Sequence, residues 1–327
     1  MASINRKGDK WQVRVRRKGY PIEVKTFGTR QDAERYARAI ESEMDRGSYV
    51  NRSGAEATTL GDILERYIAD VCPSMRGCAE DTIRLRAMRR TRLAQLSMAA
   101  LTPKAIAAYR DERLKRVKAG TVIRELAYLS SVINHARREW GINIANPVAS
   151  VRKPPTPQGR NRVLSQEEEC RLLAALAPDG RRNPWIRPMA MLGLETAMRR
   201  GEILQLRWEH IDLEGQTAFL PVTKNGSPRV VPLSRRAVVL LRELPRSLDG
   251  RVFPINAAAL HKAFQRACKR AGLADLRWHD LRHTAITRMA AKLPNLIELA
   301  AVSGHRSLAM LKRYYHPSAT ELAKKLG

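Results

Sequence analysis

Residues 217–233 carry the sequence TAFLPVTKNGSPRVVPL, and they interrupt a chain whose apolar residues otherwise recur with helical spacing. Two short apolar runs flank Asn225 and Gly226, and this dipeptide is the strongest short signal for a β-hairpin turn. A capping box, SQEE at residues 165–168, opens the helical spacing before this stretch, and helical spacing resumes after it. The last part of the chain is therefore predicted to be a mixed α+β domain with one short β-hairpin.

A helical bundle is predicted upstream, between two segments that indicate linkers. Residues 48–57 are rich in turn-forming residues, and residues 152–162 combine prolines, glycine and basic residues without apolar periodicity. Between the two segments, helices are predicted over residues 58–71, over 80–96, from Thr102 to near Gly120, and over 121–141. Residues 58–150 are therefore interpreted as one compact bundle.

The N-terminal sequence KWQVRVRRKGYPIEVKTFG shows the alternation of β-strands. Trp11, Val13 and Val15 fall on one face and polar or basic residues on the other, which predicts a β-hairpin or a three-stranded sheet. A helix is predicted to follow from the N-cap Thr29 to a stop near Gly47, which completes a ββ(β)α module. The whole chain is thus predicted to be mainly α-helical with small β elements.

The chain is strongly basic, because 60 Lys+Arg against 32 Asp+Glu give a formal net charge of +28. Such a charge predicts a polyanionic partner, and double-stranded DNA is the first expectation. Two surfaces are predicted to bind it: the exposed face of the N-terminal sheet, and the helix over residues 80–96, whose arginines would repel one another without a nearby anion. The candidate DNA-binding residues are Arg14, Arg16, Lys18, Arg84, Arg86, Arg89 and Arg90. The alternative for the sheet module is a purely structural role.

The sequence gives little support for a membrane-spanning segment or for a metal site. No apolar run approaches the roughly 18 residues of a membrane-spanning helix, so a cytoplasmic, nucleoid-associated protein is expected. The four cysteines show neither CxxC spacing nor a nearby histidine, which indicates reduced thiols. His279 and His283 have a spacing that can bind metal on a helix face, but no third ligand has matching spacing. No metal or other cofactor is therefore predicted.

Six polar residues of the last domain stand where a purely structural sequence would avoid them. They are Arg199 in TAMRRGE, Lys224 in TKNG, His279 and Arg282 in HDLRH, and His305 and Tyr314 in GHRSLAMLKRYYHP. Each has an ordinary explanation when taken alone, such as a surface ion pair or turn chemistry. As an ordered series, R…K…HxxR…GH…Y, they resemble the tyrosine recombinase (phage integrase) family, and the resemblance covers residues 58–327.

The resemblance implies three domains: an arm-type DNA-binding module over residues 1–52, a helical core-binding domain over 58–150 and a catalytic domain over 163–327. It also implies a homotetramer on double-stranded DNA with paired recombination sites, and accessory DNA-bending or directionality proteins are compatible with it. The implied reaction cuts and rejoins DNA strands through a covalent 3′-phosphotyrosyl intermediate without metal or ATP. It integrates, excises or inverts a DNA segment.

The residue types suit this chemistry, because breaking a phosphodiester requires a nucleophile, an acid for the departing oxygen and fixed positive charge. By the resemblance, Arg199 and Arg282 bind the non-bridging oxygens, and Lys224 protonates the leaving 5′-oxygen. His279 and His305 hydrogen-bond the phosphate and help to manage the tyrosine proton. The tyrosine itself is expected to lose its proton more easily than usual beside this cationic cluster.

Two adjacent tyrosines compete for the role of nucleophile. A helix is predicted to begin near Ser307, which puts Leu308, Leu311 and Tyr315 on one stripe that faces the core. Tyr314 lies about 100° away, so one helix cannot aim both hydroxyls at the same phosphate. The family pattern agrees, because its tyrosine usually stands nine residues after the histidine of the Gly-His pair. Tyr314 is therefore predicted to be the nucleophile and Tyr315 to be structural.

Two positions depart from the usual pattern: Ala197 stands where a glycine is common, and Ser303 where a leucine is common. Neither change removes a functional group. A type IB topoisomerase or a hairpin telomere resolvase would use the same residue types, and a DNA-binding regulator could keep the fold without the reaction. The N-terminal module and the chain length favour site-specific recombination, and no expected catalytic residue is missing. The choice between integration, excision and inversion stays open.

Overall fold

The computed structural model describes residues 2–49, 51, 53–75, 77–180, 182–222, 227–314, 320, 323 and 326. The chain forms two compact units, Met1–Gln158 and Gly159–Gly327. The finer division into three domains stays a prediction.

The first unit begins with a small antiparallel sheet and one helix. The elements are β1 (Ala2–Lys7), β2 (Lys10–Val15), β3 (Glu23–Phe27) and α1 (Arg30–Asp45), with strand order β1-β2-β3. Val13 and Val15 are fully buried in one core with Ala33 of α1, whereas Arg14 between them is exposed. The predicted ββ(β)α module is thus confirmed with three strands. Its first strand precedes residues 10–28, and it escaped prediction because most of its side chains are exposed.

The rest of the first unit is a helical bundle. It contains α2 (Ser53–Ala57), α3 (Leu60–Asp70), α4 (Cys78–Arg89), α5 (Pro103–Leu114) and α6 (Ala119–Glu139). Each helix contributes a buried side chain to one hydrophobic core: Ala55, Leu64, Leu85, Ile106 and Leu126, in chain order. The predicted bundle is therefore confirmed. The linker expected over residues 48–57 was wrong in part, because α2 lies within it and packs on the bundle core.

Two helices of the bundle end earlier than predicted. Helix α4 stops before Thr91, whose hydroxyl donates to Met88 O at 2.7 Å, and the chain then forms a 3-10 turn that buries Leu93. Helix α5 stops at Leu114, because Gly120 already belongs to the first turn of α6. In both cases the apolar spacing of the sequence continues beyond the helix, and a local hydrogen bond or the start of the next helix marks where the helix ends.

The second unit contains helices and one small sheet. The elements are α7 (Gln166–Ala175), α8 (Ile186–Thr196), α9 (Arg200–Leu204), β4 (Ile211–Asp212), β5 (Thr217–Leu220), β6 (Arg229–Pro232), α10 (Arg235–Arg242), α11 (Ala257–Arg270), α12 (Trp278–Lys292) and α13 (Leu296–Ser303). The capping box predicted at Ser165 is present, with Glu168 completing it. Strands β5 and β6 pair antiparallel as predicted, and the Asn225-Gly226 turn lies outside the described residues.

Two hydrophobic cores stabilise the second unit. The larger one packs α7, α8, α10 and α11 on the sheet, with Phe253 fully buried inside it. The smaller one, called here the small core, contains Ala197, Ala285, Ile286, Ala290, Leu299 and Leu311. Helix α12 packs against both α8 and α13. The HDLRH motif at the start of α12 is thereby placed beside the C-terminal ends of two other helices.

The segment after α13 is not the predicted helix. It forms two 3-10 turns, Leu308–Met310 and Lys312–Tyr314, and the Tyr314 N–H donates to Leu311 O at 2.9 Å. Three residues per turn align Tyr314 with Leu311, whereas α-helical spacing would separate them by about 60°. Both pack in the small core, which accounts for the tighter winding. The predicted buried stripe was wrong for Leu308, which is 45% exposed, and Tyr315 lies outside the described residues.

Candidate active site

Helix α12 is anchored through its first turn to the chain that precedes α7. Asp280 is fully buried, and its carboxylate accepts hydrogen bonds from Arg160 Nε at 2.8 Å and from the Arg277 backbone N–H at 2.8 Å. Arg160 belongs to the segment that was predicted to be a linker. The end of that segment is thus tied to the helix that carries His279 and Arg282.

Arg282 connects the ends of α8 and α13. Its side chain is buried, and its guanidinium donates to Ala197 O and, at 2.6 Å, to Ser303 O. Burial and the nearby Arg199 lower the pKa of Arg282 to about 10, so the group remains charged at neutral pH. In the described part of the chain, no carboxylate forms an ion pair with this buried charge, which two carbonyl oxygens hold.

Three arginines converge on three successive carbonyls at the C-terminus of α13. Arg229 donates to Val302 O at 2.7 Å, Arg282 to Ser303 O at 2.6 Å and Arg199 to Gly304 O at 3.1 Å. The last carbonyls of a helix carry partial negative charge, which attracts cations. The helix end therefore holds three guanidinium groups together without neutralising them.

Glu202 is the carboxylate that pairs with two of these arginines. It is 5% exposed and accepts from Arg199 at 2.8 Å and from Arg229 at 2.8 Å. Burial alone would raise the pKa of Glu202, but Arg229 and the hydrogen bonds from Arg199 outweigh burial and lower it. We call Arg199, Arg229, Arg282 and Glu202 the arginine cluster. With three guanidinium groups and one ionised carboxylate, it has an excess of positive charge that suits a bound anion.

Two residues with left-handed backbone shape this cluster. Gly304 has φ +69°, which other residues adopt only with strain, and a Cβ at this position would lie 2.9 Å from Arg229 Nε and would displace that side chain. Ala197 ends α8 with φ 52° and is fully buried in the small core. The family glycine that it replaces would adopt this conformation without strain. Ala197 places its methyl group in the small core, and its carbonyl accepts a hydrogen bond from Arg282.

His305 is held in one tautomer by Ser303. The Ser303 hydroxyl lies 2.6 Å from Leu299 O and 2.7 Å from His305 Nδ1. A carbonyl only accepts, so the single hydroxyl proton points to Leu299 O, and Nδ1 must carry the proton that it donates to Ser303. Burial, Arg282 and Arg199 lower the pKa of His305 to about 4. The imidazole is therefore neutral at pH 7, with an unprotonated Nε2.

Tyr314 contacts a histidine that the sequence had not assigned to the site. Its hydroxyl hydrogen-bonds to His283 Nδ1, and the two rings stack with centroids 5.8 Å apart. Burial raises the pKa of Tyr314 against the opposing effects of Arg313 and Arg282. The expectation of an easily ionised tyrosine was therefore wrong, because desolvation of the phenolate outweighs the neighbouring cations.

The structure brings three of the six predicted catalytic residues together at one place. Arg199, Arg282 and His305 meet around residues 303–304. His279 is partly exposed one helical turn before His283, with ring centroids 4.9 Å apart, and Tyr314 bonds to His283. Lys224 lies outside the described residues. The catalytic roles of all six residues stay predictions.

Four residues of the site were missed from sequence: Glu202, Arg229, His283 and Ser303. Glu202 stands three residues after Arg199, which is the capping-box spacing, and its side chain does bond to the Arg199 backbone N–H. The sequence indicated His283 only as one of two histidines whose spacing can bind a metal ion. Arg229 had no local signal, because its partners lie on distant elements.

The predicted DNA-binding residues lie on exposed or partly exposed surfaces of the first unit. Those on the sheet module, Arg14, Arg16 and Lys18, are exposed, as are Arg86 and Arg90 on or just after α4. Arg84 pairs with Asp81 at 2.9 Å, and Arg89 pairs with Glu65. Protein carboxylates thus relieve part of the repulsion from which a DNA anion was inferred. The DNA-binding role of these residues stays a prediction.

Metal sites and membrane-spanning helices are absent from the described part of the chain. Among those residues, no group of three or more His, Cys, Asp or Glu is placed to hold a metal ion. No helix formed by the described residues is long and apolar enough to span a membrane. The four cysteines, all within the described ranges, are free thiols.

Comparison with known proteins identifies relatives along most of the chain. The profile of the phage integrase family matches residues 162–321, and that of the phage integrase N-terminal domain matches residues 57–153. A shufflon-specific DNA recombinase of Escherichia coli is 44% identical over 277 residues, which cover 82% of this chain and 71% of the relative. A putative integrase/recombinase of Haemophilus influenzae is 34% identical over 98% of this chain and 89% of its own length.

Solved structures share the fold. A lambda integrase tetramer bound to a Holliday junction matches with a TM-score of 0.67 and 20% identity, over 95% of this chain and 93% of that one. The Tn1549 transposon integrase in complex with circular intermediate DNA matches with a TM-score of 0.66 and 16% identity, over 83% of this chain and 100% of that one. The predicted mainly helical fold with small β elements is confirmed. The chain belongs to the phage integrase family and is a tyrosine-type site-specific DNA recombinase.

Proposed function

We propose that this recombinase acts on paired DNA sites and forms its 3′-phosphotyrosyl bond on Tyr314. The arginine cluster is the observation that carries the proposal. Three guanidinium groups against one carboxylate give fixed, excess positive charge where α13 ends beside α8 and α12. Tyr314 packs on the small core that the same helices form. Preorganised cations of this kind stabilise the charge that develops on a phosphate in the transition state.

The proposed reaction step balances without a cofactor. The Tyr314 hydroxyl gives its proton to a histidine of the site as its oxygen attacks the phosphorus, the bond from phosphorus to the 5′-oxygen breaks, and Lys224 gives a proton to that oxygen. Arg199 and Arg282 bind the non-bridging oxygens, which the planar guanidinium fits better than lysine does. The released 5′-hydroxyl of a partner strand later attacks the phosphotyrosyl ester, which restores a phosphodiester and frees the tyrosine.

The negative charge of the bound phosphate changes the protonation of His305 during this step. Its pKa of about 4 reflects burial among arginines in the absence of DNA. A bound phosphate supplies the missing negative charge and raises that pKa, because an opposite charge within about 4–6 Å favours the protonated imidazole. His305 can then donate from Nε2 to a phosphate oxygen, and His279 supplies a second donor at the site.

The proposal extends to assembly and DNA binding. Residues 1–52 form the arm-type module, and residues 58–150 and 163–327 together bind the crossover site as core-binding and catalytic domains. The protein works in the cytoplasm as a homotetramer on two paired sites, with accessory DNA-bending or directionality proteins where the sites require them. The DNA-bound integrases of the same fold, one of them a tetramer on a Holliday junction, support this assembly.

The test is a covalent adduct on nicked suicide DNA that carries the crossover site. We expect Tyr314→Phe to abolish the protein–DNA band in a denaturing gel, because a phenylalanine ring has no nucleophile, while specific binding in a gel shift persists. Tyr315→Phe is the matched control and is expected to keep cleavage. A phosphotyrosyl peptide that maps to Tyr315 would overturn the assignment.

A further inference from the structure

We propose that His283 is a further catalytic residue, whose Nδ1 receives the hydroxyl proton of Tyr314 as the tyrosine oxygen attacks phosphorus. This inference rests on the proposed role of Tyr314 as nucleophile. It concerns a residue outside the six-residue series from which the site was predicted.

The geometry places His283 directly on the reacting atom. Helix α12 holds its side chain 6% exposed, the ring stacks on the Tyr314 ring with an interplanar angle of 29°, and Nδ1 is hydrogen-bonded to the tyrosine hydroxyl. Arg313 also hydrogen-bonds the Tyr314 side chain. A guanidinium has donors only, so Arg313 donates to the phenolic oxygen, and Nδ1 accepts the phenolic proton in the tautomer of His283 that carries its own proton on Nε2.

The other histidines of the site are less suited to this step. His305 is committed through Nδ1 to Ser303, and its ring belongs to the arginine cluster rather than to the tyrosine. His279 meets His283 edge to face and is partly exposed. Among the described histidines, His283 is the one with a ring nitrogen hydrogen-bonded to the nucleophile.

Charged neighbours make the basicity of His283 depend on whether DNA is bound. The ring lies among His279, Asp280 and Arg282 of its own helix and Arg313 and Tyr314 of the last 3-10 turn. Burial and these mostly cationic neighbours lower the pKa of His283 to about 4, so the imidazole is neutral and a weak base without DNA. A phosphate in the arginine cluster offsets that positive charge and raises the pKa. The tyrosine is thus activated mainly when a phosphate is present.

Each proton and each bond in the proposed step is accounted for. When the bond between Tyr314 and phosphorus forms, the phenolic proton moves to His283 Nδ1 and the bond from phosphorus to the 5′-oxygen breaks. The 5′-oxygen takes its proton from the acid assigned to Lys224. In rejoining, the incoming 5′-hydroxyl returns its proton to the lysine, and His283 returns its proton to the tyrosine oxygen.

The experiment separates the base from the acid by changing the leaving group. Single-turnover cleavage is measured on two suicide substrates, one normal and one with a 5′-bridging sulfur, whose thiolate leaves without a proton. We expect His283→Gln to slow cleavage of both substrates by at least about 100-fold, as for loss of a general base. Lys224→Ala is expected to be slow on the oxygen substrate alone. Cleavage by His283→Gln within threefold of the parent, or rescue by sulfur, overturns the proposal.

A pH profile provides the second readout. Without the base, the tyrosine must ionise in solvent, so the rate of His283→Gln is expected to rise about tenfold per pH unit between pH 7 and 9. The parent rate is expected to be level in this range and to fall below pH 6, as His283 becomes protonated. A parent rate that stays level to pH 4 contradicts the proposal, and this measurement requires no substitution in the buried site.

Three controls make failures distinguishable. His261→Gln on α11 changes an exposed histidine outside the site and should cleave like the parent. Gel-shift binding and thermal unfolding report whether His283→Gln is folded, and His283→Asn serves as the second variant. Tyr314→Phe tests the nucleophile separately: an adduct that survives this substitution refutes the proposed function, whereas a fast His283→Gln refutes only the base.

Discussion

At the scale of single residues, the two predicted phosphate-binding arginines differ in how much they hold the fold together. Arg282 is buried and both of its terminal nitrogens bond to backbone carbonyls of other elements. Arg199 is partly exposed and pairs with Glu202. Arg282 therefore holds the ends of α8 and α13 in addition to any contact with DNA, whereas Arg199 is bound mainly by one carboxylate.

This difference leads to the first prediction. Arg199→Ala and Arg282→Ala are each expected to reduce suicide-substrate cleavage by at least about 100-fold, because each removes one preorganised transition-state donor. Arg282→Ala should also lower the free energy of unfolding by about 2–3 kcal/mol, because it leaves buried carbonyls unpaired. Gel shifts and denaturant unfolding provide the measurements. An equal loss of binding and cleavage in Arg199→Ala would show that Arg199 only holds the DNA backbone.

A second residue-scale prediction concerns Ser303, which stands where a leucine is common. Ser303→Ala removes the acceptor that fixes the His305 tautomer, and the loss of one hydrogen bond of about 1 kcal/mol should slow cleavage roughly fivefold. Single-turnover rates on suicide DNA measure the effect. Ser131→Ala, on an exposed position of α6, is the control and should cleave like the parent. If Ser303→Ala cleaves at the parental rate, the tautomer is set by another group.

At the scale of elements, the C-terminus of α13 organises the site. Three successive carbonyls hold three arginines, and the left-handed Gly304 turns the chain immediately afterwards. The helix is short, and the side chain of Leu299 anchors it in the small core. The backbone of one helix end thus positions charges from Arg199, which caps α9, and from β6 and α12.

The element-scale prediction compares two glycines with the same conformation. Gly304→Ala meets both left-handed strain of about 1–2 kcal/mol and the Arg229 side chain, whereas Gly272 has φ +65° with no atom within 4 Å of an added Cβ. Gly272→Ala should therefore cost about 1 kcal/mol and leave cleavage unchanged. Gly304→Ala should cost more and reduce cleavage, as measured by denaturant unfolding and adduct formation. Equal unfolding free energies would show that Arg229 moves aside freely.

At the scale of the whole molecule, the predicted DNA-binding residues lie over two hydrophobic cores of the first unit. The N-terminal module has its own core of Val13, Val15 and Ala33 among others, and the bundle core begins with Ala55. Lys25 and Glu56 form an ion pair at 2.8 Å between these two cores, and both side chains are partly exposed. Such a pair contributes about 0–1 kcal/mol, so its loss on removal of the module should cost little stability.

The corresponding prediction is that removal of residues 1–50 leaves cleavage of the core site detectable but impairs recombination of full sites. The module is expected to bind separate arm sequences through Arg14, Arg16 and Lys18. Plasmid recombination and suicide-substrate cleavage are measured side by side. A full-length variant with these three residues changed to glutamine is the matched control and should behave like the truncation. Recombination of full sites at the parental rate by the truncated protein would assign the module another role.

The sequence by itself determined the elements whose signals are local. Side-chain caps at Thr29, Thr102 and Ser165, the alternation around Val13, and the strands on either side of Asn225-Gly226 all predicted elements that the structure contains. The ordered polar series likewise predicted the family. These signals succeed because a cap, a turn or an apolar period acts within a few residues.

Only the tertiary structure decided how the candidate site is held together. The bond from Arg199 to Gly304 O joins residues 105 positions apart, and the contact of His283 with Tyr314 joins residues 31 apart. The 3-10 winding before Tyr314 and the raised pKa of its hydroxyl both follow from packing on the small core. No local pattern encodes such pairings, because they depend on which helix ends the folded chain brings together and on how far it excludes water there.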